Sequence, residues 1–495
     1  MSTARHHIAT MLVPAWGHTV SYIHLARLML NADPDLVITL VQHNILLAQM
    51  EGELSTCEYD PARLRIIGLG DKDLPFSPDQ VKVVFGETVA GWFETIKKLA
   101  EGSEGWPKPR TVHMDFFGGG ITVDQTKEIL GPDTKTVLWF STALVSMPGH
   151  LTDYDFAATV DEIFADEKSR KGRSKEEILE TVSLAWNGGE ETTGMVVKLP
   201  GAPDMYDYER WACGSGAPEG IGMLLCACQK FAKVADGYIV PTASCLEPVG
   251  VPYWKQASRE RGQEFFPVGM QAHDGCWKDD FESSSASPTN TVVKAFLDDA
   301  VSKYGPKSVL YISFGSHRQP PLHPHPFPFI FALGGKLASL PKETIERVNS
   351  SGRGLVCDFW VEQRAILQSG AIGWFLTHGG FNSTTESLSQ GIPLIMWPTN
   401  AEQPVNAALL SQEPNPVAIE LLQVRTGRQL GPSLRAGPVI TGTVEDATKE
   451  FVETFEKTRG ERGAFITTNA VKMAKALREA RKGEAAQEIK RLAAF

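Results

Sequence analysis

The sequence predicts an α/β fold in which parallel sheets are built from strand, helix and strand units. One such unit lies in the second half of the chain, where a short apolar strand, Gly373 to Thr377, leads through a glycine turn into a helix. Gly391 and Pro393 close this helix, as a C-terminal glycine followed by a breaker does. A second buried strand follows from Ile392 to Trp397, and two strands joined through a helix favour parallel pairing.

The first half of the chain shows the same alternation. The predicted strands are His7 to Val13, Leu36 to Gln42, a short strand ending in His113-Met114-Asp115, Thr136 to Phe140, and Gly237 to Leu246 as the last strand of this half. The predicted helices between them are Tyr22 to Leu30 and, after a Gly118-Gly119-Gly120 loop, Ile121 to Leu130. The length of 495 residues suits two domains of this type.

Composition excludes several classes of protein. The net charge of -11 argues against a general nucleic-acid or anionic-membrane binder, because phosphate backbones are held by Lys and Arg. Seven cysteines without paired CxxC spacing predict neither a disulfide framework nor a zinc site, and favour a reducing compartment. The N-terminus lacks a signal-peptide cleavage site, and the apolar stretch Ile221 to Cys228 is far below the roughly 20 residues of a membrane-spanning helix. We therefore predict a cytoplasmic protein without integral membrane contact.

The turn between the strand and the helix of the second half suits a diphosphate. It lies at the carboxyl edge of the sheet, its glycines let the backbone approach closely, and the first helical amides attract anions. If the helix begins near His378, then His378, Asn382 and Glu386 share one face, with Ser383 beside them. His378, Asn382 and Ser383 can donate hydrogen bonds to phosphate oxygens. The Glu386 carboxylate can only accept hydrogen bonds, so it suits ribose hydroxyls. The alternative is an ordinary turn whose helix is capped by Asn or Ser.

Residues on either side of this turn extend the pattern. Trp360 can stack on a flat base, a contact typically worth about 1–3 kcal/mol, and Gln363 can hydrogen-bond the base edge. Glu402 and Gln403 supply an acceptor and an amide after the second strand. In order, these residues fit a base, a diphosphate, a ribose and a sugar.

The stretch from Phe359 to Asn406 resembles the donor-binding signature of the UDP-dependent glycosyltransferases of the plant secondary-product type. The resemblance implies that Trp360 and Gln363 contact uracil, that Glu386 contacts the ribose, and that Glu402 and Gln403 contact the sugar. It further assigns the diphosphate to His378, Asn382 and Ser383. The sequence departs from the family pattern at five positions. This chain has Glu362 where the family usually has Pro, Ser369 in place of His, Gly379 in place of Cys, Phe381 in place of Trp, and Glu402 in place of Asp. Although Phe381 replaces the usual Trp, we include it among the predicted donor-binding residues.

The resemblance also assigns roles in the first half. It implies that His18, in a turn after the first strand, is the general base and that Asp115 orients it, since a carboxylate on one imidazole nitrogen fixes the tautomer and raises the basicity of the other. It places Ser141 against the donor sugar and Ser316 against phosphate. Without the resemblance, His18 would be a surface or capping histidine, Asp115 a helix N-cap, and Ser316 part of a simple turn.

The family resemblance implies a GT-B fold, in which two Rossmann-like parallel-sheet domains face a central cleft. We predict an N-terminal acceptor-binding domain over residues 1–264, a linker over 265–291, and a C-terminal UDP-sugar-binding domain over 292–463. A helical tail over 464–495 is predicted to pack back on the N-terminal domain. The proline-rich segment from Gln319 to Pro328 stands where the family usually has a helix, so either the domain is locally rebuilt or the gene model is imperfect. Its histidines, with the H-x-H of His323 and His325, are more typical of an exposed loop than of a metal site.

The predicted function is inverting transfer of a hexose, glucose by resemblance, from a UDP-sugar to a hydroxyl of a small lipophilic acceptor. No metal is predicted, because neither a clustered D-x-D nor another metal-ligand spacing occurs. Two alternatives stay open. One is a sterol or glycolipid glycosyltransferase at a membrane surface, and the other is a nucleotide-sugar-binding protein that has lost catalysis.

Overall fold

The structure is a computed structural model of the chain, and its described residues are 6–74, 80–102, 106–149, 155–186, 194–210, 221–281, 287–314, 327–333, 339–399, 401–435, 437 and 439–495. They form two compact units. Unit 1 comprises 1–191, 216–273 and 480–495, and unit 2 comprises 192–215 and 274–479.

Unit 1 contains a parallel sheet of seven strands within the described residues. These strands are β1 (His6–Met11), β2 (Leu36–His43), β3 (Leu64–Leu69), β4 (Thr111–Asp115), β5 (Lys135–Trp139), β6 (Gly237–Val240) and β7 (Glu264–Pro267). Their order in the sheet is β3-β2-β1-β4-β5-β6-β7. Both faces are buried, since Ile8 and Ala9, adjacent on β1, belong to different apolar clusters.

Unit 2 contains a parallel sheet of six strands in the part of the chain that is described. These strands are β8 (Val309–Ser313), β9 (Phe329–Ala332), β10 (Gly354–Cys357), β11 (Ile372–Thr377), β12 (Leu394–Met396) and β13 (Ala418–Glu420). The order β10-β9-β8-β11-β12-β13 is that of a Rossmann sheet. Two short antiparallel pairs lie outside both sheets, Val196–Val197 with Met205–Tyr206 and Gly431–Pro432 with Val439–Ile440.

Helices surround the two sheets. Those whose residues lie in unit 1 are α1 (Trp16–Ala32), α2 (Leu47–Ser55), α3 (Val81–Ala100), α4 (Phe116–Leu130), α5 (Phe156–Ala165), α6 (Glu167–Arg170), α7 (Lys175–Trp186), α8 (Ile221–Val234) and α9 (Gly250–Glu260). Unit 2 has α10 (Thr291–Tyr304), α11 (Lys342–Ser350), α12 (Gln363–Leu367), α13 (Phe381–Ser389), α14 (Gln403–Ser411) and α15 (Val444–Arg459). The tail forms α16 (Glu461–Lys482) and α17 (Glu484–Ala494). Among the described helices, none is both long and apolar enough to cross a membrane.

The predicted glycine loop before α4 is wrong, because Gly118-Gly119-Gly120 lie inside that helix. The helix starts directly after Asp115, whose Oδ1 accepts a hydrogen bond from the Phe117 amide at 3.0 Å. A Cβ on Gly119 would lie 2.2 Å from a ring carbon of Phe231. The glycines therefore permit close packing of α4 against α8, which outweighs their poor helix propensity.

The predicted last strand of the first half is also wrong. β6 ends at Val240, and β7 continues the same sheet as a parallel edge strand. The family resemblance places the exit into the linker at Phe265 to Gly269, but residues 265–267 belong to β7. Pro267 is tolerated because it ends an edge strand.

The contact-based units differ from the predicted domain boundaries at three places. Of the predicted linker, residues 265–273 belong to unit 1 and residues 274–291 to unit 2. Residues 192–215 also belong to unit 2, and the tail joins unit 1 only from Ala480. The single predicted tail helix is broken at Gly483, whose φ and ψ are -99° and -101°. Its last part, α17, packs on α1 and β7 within unit 1.

Residues 194–210 are held in unit 2 by a buried carboxylate. The Glu209 side chain accepts hydrogen bonds from the Ser433 hydroxyl and from the Leu434 amide. The Glu209 backbone carbonyl accepts from the Arg425 guanidinium at 3.1 Å. Arg425 and Arg435 in turn both pair with Glu420, at the end of β13.

Candidate functional site

Each sheet has one position where the strand order reverses, and ligands of open α/β sheets bind beside that position at the carboxyl ends of the strands. In unit 1 it lies between β1 and β4, where Met11 pairs with Met114. In unit 2 it lies between β8 and β11, where Ser313 pairs with Thr377. The predicted His18–Asp115 pair lies beside the first of these positions, and the predicted diphosphate turn follows the second.

His18 and Asp115 are hydrogen-bonded in unit 1. The His18 Nδ1 atom lies 2.7 Å from Asp115 Oδ2. The aspartate side chain is fully buried, whereas 29% of the histidine side chain is exposed. The carboxylate is also fixed by the Phe117 amide, so it can hold the imidazole in one orientation and with the proton on Nδ1.

His18 lies in the first turn of α1, not in the loop before it, which corrects the predicted turn. The helix starts at Trp16 because Pro14 is followed by Ala15 in an extended conformation, φ -128° and ψ 122°. The Trp139 indole donates to the His18 carbonyl at 3.0 Å and ties this turn to β5. The His18–Phe117 ring centroids are 6.0 Å apart, so an aromatic ring borders the imidazole.

Ser141 follows β5, the neighbour of β4 in the sheet. Because Asp115 pairs with Trp139, Ser141 lies at the same carboxyl edge as the His18–Asp115 pair. The backbone just after it is fixed by Glu247, a buried carboxylate that accepts from the Leu144 and Val145 amides at 2.9 and 2.7 Å. Sequence reasoning did not single out Glu247, although an isolated acid after a strand and an apolar turn is a detectable signal.

In unit 2 the predicted strand, turn, helix and strand are confirmed as β11, α13 and β12 in parallel pairing. The turn needs glycine at Gly379, whose φ is +86°. A Cβ there would lie 2.5 Å from Met396 Cε, and the Gly379 carbonyl accepts from the buried Asn406 amide at 3.2 Å. Asn406, which the sequence reasoning did not select, thus fixes the turn from α14.

The N-terminus of α13 is suited to an anion. Its N-cap is Gly380, which supplies no side-chain cap, so the predicted alternative of an Asn or Ser cap is not what the turn uses. The helix amides that begin at Phe381 carry the positive end of the helix dipole. His378 borders the same turn, because a Cβ on Gly380 would lie 2.4 Å from His378 Nε2.

The predicted common face of His378, Asn382 and Glu386 is only partly found. The helix begins at Phe381, so Asn382 and Glu386 share a helical face while His378 precedes the helix. Asn382 and Ser383 are both half-buried in the first turn, where their side chains adjoin the helical amides. The Phe381 side chain is only 7% exposed, which leaves little of it for a ligand.

Three side chains form a hydrogen-bonded chain beside the turn. The buried Tyr311 hydroxyl donates to Gln363 Oε1 at 3.3 Å, and Gln363 Nε2 donates to Glu386 Oε2 at 2.7 Å. Burial raises the pKa of Tyr311 far above its usual value, so the hydroxyl keeps its proton. The chain fixes the Gln363 amide relative to the Glu386 carboxylate. Tyr311 was not predicted, because a tyrosine inside an apolar strand has no distinguishing signal in the sequence.

Trp360 is exposed to 74%, although large aromatic side chains are usually buried. It follows the carboxyl end of β10 and precedes α12, which begins at Gln363. An exposed indole at a sheet edge is a platform on which a base can stack.

The other predicted donor residues have structural contacts. Glu402 is the N-cap residue of α14, and Gln403 Oε1 accepts from the Thr399 amide at 2.9 Å and from its hydroxyl at 3.1 Å. Gln403 therefore closes the turn before α14. Ser316 and the proline-rich segment up to residue 326, with its histidines, lie outside the described residues.

Two of the departures from the family pattern have local roles. Glu362 Oε2 accepts from the Thr289 amide and hydroxyl at 2.7 and 2.9 Å, which ties the start of α12 to the segment before α10. The Ser369 hydroxyl donates to the Ile366 carbonyl at 2.7 Å and helps to end α12.

The paired parallel sheets define a protein of GT-B fold. The solved structure of Phytolacca americana UGT2 complexed with UDP-2fluoro-glucose and pterostilbene superposes with a TM-score of 0.67, covers 99% of each chain and is 19% identical. This likeness confirms the predicted fold.

The predicted family resemblance is confirmed as well. Residues 335–435 match the family described as UDP-glucoronosyl and UDP-glucosyl transferase. The chain is 34% identical over 313 residues to UDP-glycosyltransferase eriJ of Hericium erinaceus, which covers 58% of this chain and 59% of the relative. It is 31% identical over 189 residues to UDP-glycosyltransferase 90A2 of Arabidopsis thaliana, covering 36% of this chain and 38% of that protein. The chain thus spans about three fifths and two fifths of these relatives' lengths.

Proposed function

We propose that this protein transfers a hexose from a UDP-sugar to a hydroxyl of a small lipophilic acceptor with inversion at the anomeric carbon. The observation that carries the proposal is the hydrogen bond from His18 to the buried Asp115 at the carboxyl edge of the unit 1 sheet. A merely structural histidine would not require a fully buried carboxylate on Nδ1 together with partial exposure of its ring.

In the proposed reaction His18 is the general base. Its Nε2 takes the proton from the acceptor hydroxyl while the oxygen forms a bond to the anomeric carbon. The bond from that carbon to the diphosphate oxygen breaks, and its electron pair leaves with UDP. Asp115 stabilises the imidazolium that forms, since its negative charge lies beside Nδ1.

Unit 2 would bind the donor. Trp360 offers a stacking surface for uracil, Gln363 a base-edge contact, and Glu386 an acceptor for ribose hydroxyls. The first amides of α13, with His378, Asn382 and Ser383, would stabilise the charge that develops on the diphosphate. We assign Glu402, Gln403 and Ser141 to the sugar and Ser316 to phosphate on the resemblance alone.

The transfer is proposed to need no metal, because helix amides and neutral donors supply the charge stabilisation. Glucose is the proposed sugar, in keeping with the UDP-2fluoro-glucose bound by the Phytolacca protein. That protein is also complexed with pterostilbene, which supports a small acceptor. The cytoplasmic location stays a prediction from cysteine usage; the cysteines among the described residues are all free thiols.

The test measures UDP release with UDP-glucose and other UDP-sugars against a panel of phenols, flavonoids, sterols and hydroxy fatty acids, with products identified by mass spectrometry. The wild-type chain should release UDP with at least one phenolic acceptor, and His18→Ala should lower that turnover by about 10² to 10⁴ while leaving UDP affinity nearly unchanged. UDP binding without turnover on any acceptor would instead support a binding protein. Equal turnover of His18→Ala and wild type would contradict the base assignment.

A further inference from the structure

A second group of chemically active side chains lies in unit 1, away from the proposed site. It consists of His24, Glu53 and Cys57, and one ligand atom from each lies within 4.8 Å of the others. His24 is in the middle of α1, Glu53 is in α2, and Cys57 follows the end of α2. Two helices that pack on each other thus bring together three residues that no sequence motif connects.

His24 is the buried member of the group. Its residue is 1% exposed, and its Nε2 lies 3.1 Å from Glu53 Oε1. Its Nδ1 is buried and has no hydrogen-bond partner among the residues that the structure describes. The Nε2 atom, which already faces the Glu53 carboxylate, is the nitrogen that would bind an ion.

The three side chains make a zinc-type donor set. Imidazole, thiolate and carboxylate are the ligands that Zn²⁺ uses, and a Cys57 thiolate with the Glu53 carboxylate would balance the charge of the ion. Bond lengths of about 2.0–2.3 Å place donor atoms roughly 3.4 Å apart, so small side-chain rotations from the present spacing suffice. Glu53 and Cys57 are half-buried, which gives an ion access from one side.

The charged neighbours are compatible with a cation. The Arg27 guanidinium donates to the Glu58 carbonyl at 3.1 and 3.0 Å, which holds its charge on that carbonyl. His273 lies next to His24, with ring centroids 5.8 Å apart, and its Nε2 lies 3.1 Å from the Thr56 carbonyl. Arg27 raises the local potential, but the two anionic ligands outnumber it.

We propose that His24, Glu53 and Cys57 bind one zinc ion that joins α1 to α2. Three protein ligands leave the fourth tetrahedral position of the ion to water. The ion would take no part in the proposed transfer, because His24 lies six residues beyond His18 on α1 and faces α2, whereas His18 faces Asp115. The site is independent of the proposed glycosyl transfer.

The test uses the full chain. Zinc content by inductively coupled plasma mass spectrometry, after exchange into metal-free buffer, should be one ion per chain, and EDTA should remove it. Added Zn²⁺ should then raise the unfolding temperature of the stripped protein. Co²⁺ in place of zinc should give a thiolate-to-cobalt charge-transfer band in the near ultraviolet.

Cys57→Ser is the informative variant and Cys226→Ser is its control, since both cysteines are half-buried residues of unit 1. Cys57→Ser should lose the charge-transfer band and at least tenfold in zinc affinity, whereas Cys226→Ser should keep both. A wild-type chain that takes up no zinc and shows no thermal shift would overturn the proposal, as would equal zinc affinity and an unchanged cobalt spectrum in Cys57→Ser. His24→Ala should reproduce the loss if it folds; the cysteine pair decides the question if it does not.

Discussion

Gln363 donates a hydrogen bond to Glu386 at 2.7 Å while accepting one from the Tyr311 hydroxyl. The amide of Gln363 can therefore take only one of its two flipped orientations. The base-edge contact proposed for Gln363 and the ribose contact proposed for Glu386 are thus coupled before any ligand arrives, and the buried Tyr311 sets the geometry of both side chains.

Tyr311→Phe tests this coupling. Loss of the hydroxyl should leave the fold intact but free the Gln363 amide to rotate, so UDP affinity should fall by about three- to tenfold, as expected for one neutral hydrogen bond of about 1 kcal/mol. Isothermal titration calorimetry with UDP measures the effect, and Tyr304→Phe, at an exposed tyrosine of unit 2, is the matched control. Identical dissociation constants for wild type and Tyr311→Phe would show that the hydroxyl does not position Gln363.

Trp360→Ala removes the exposed indole. Loss of stacking should weaken UDP binding by about 1–3 kcal/mol, which corresponds to roughly five- to 150-fold in the dissociation constant, with little change in stability. Phe465→Ala removes another exposed aromatic ring of the same unit and should not change the affinity. If both variants bound UDP as wild type does, Trp360 would have no part in the donor site.

Asp115→Asn separates the two contacts of that carboxylate. The amide oxygen can still cap α4 through the Phe117 amide, but the charge beside His18 is lost. We expect turnover to fall by about 10² or more, with an unchanged UDP dissociation constant and a lower apparent pKa in the pH dependence of turnover. The pH profile distinguishes loss of the charge from a general structural effect, because misfolding would lower activity at all pH values.

Gly380→Ala tests the close approach of His378 to the diphosphate turn. The φ of Gly380 is -61°, which alanine adopts without strain, but its Cβ would displace the His378 ring from 2.4 Å. Stability should change little, whereas UDP affinity should fall severalfold. Gly86→Ala in α3, where nothing lies within 4 Å of the added carbon, is the control and should leave the affinity unchanged. An unaltered affinity in Gly380→Ala would remove His378 from the site.

Two buried histidines of unit 1 should make stability depend on pH. Burial lowers the pKa of His7 from 6.5 to about 4 and that of His113 to about 3. The unfolded chain binds protons at these rings near pH 6.5 and the folded chain does not, so their stabilisation is complete above pH 6.5 and is lost as pH falls toward 4 and 3. Each histidine should lower the free energy of unfolding by about 1.4 kcal/mol per pH unit, or by about 2 kcal/mol between pH 6.5 and 5. Urea unfolding at pH 7 and 5 measures the change.

Imidazole NMR signals provide the control for that prediction. The rings of His7 and His113 should not titrate between pH 8 and 5, while the unfolded chain in urea titrates normally. If either signal shifted with a midpoint near 6.5, that histidine would not contribute to the pH dependence.

The fold was largely predictable from the sequence, because strand runs such as Gly373 to Thr377 are apolar on both faces. In addition, Gly391 and Pro393 mark the end of the helix that follows this strand. The predictions that were wrong concern features that tertiary packing determines. Gly118 to Gly120 are helical because α8 approaches α4 closely, and no local signal reports that neighbour. In unit 1, His18 and Asp115 were predicted and are paired. In unit 2, Tyr311 and Asn406 were missed because buried polar groups in apolar elements resemble core residues.

The path of the chain through the two units has a practical consequence. Because residues 194–210 fold with unit 2 although residues on both sides of them in sequence belong to unit 1, no single cut divides the polypeptide into two autonomous halves. A fragment beginning at residue 274 would leave Ser433 and the Leu434 amide without the carboxylate of Glu209, and would expose the arginines that flank it. Chimeras that exchange one unit between relatives should therefore keep residues 194–210 together with unit 2.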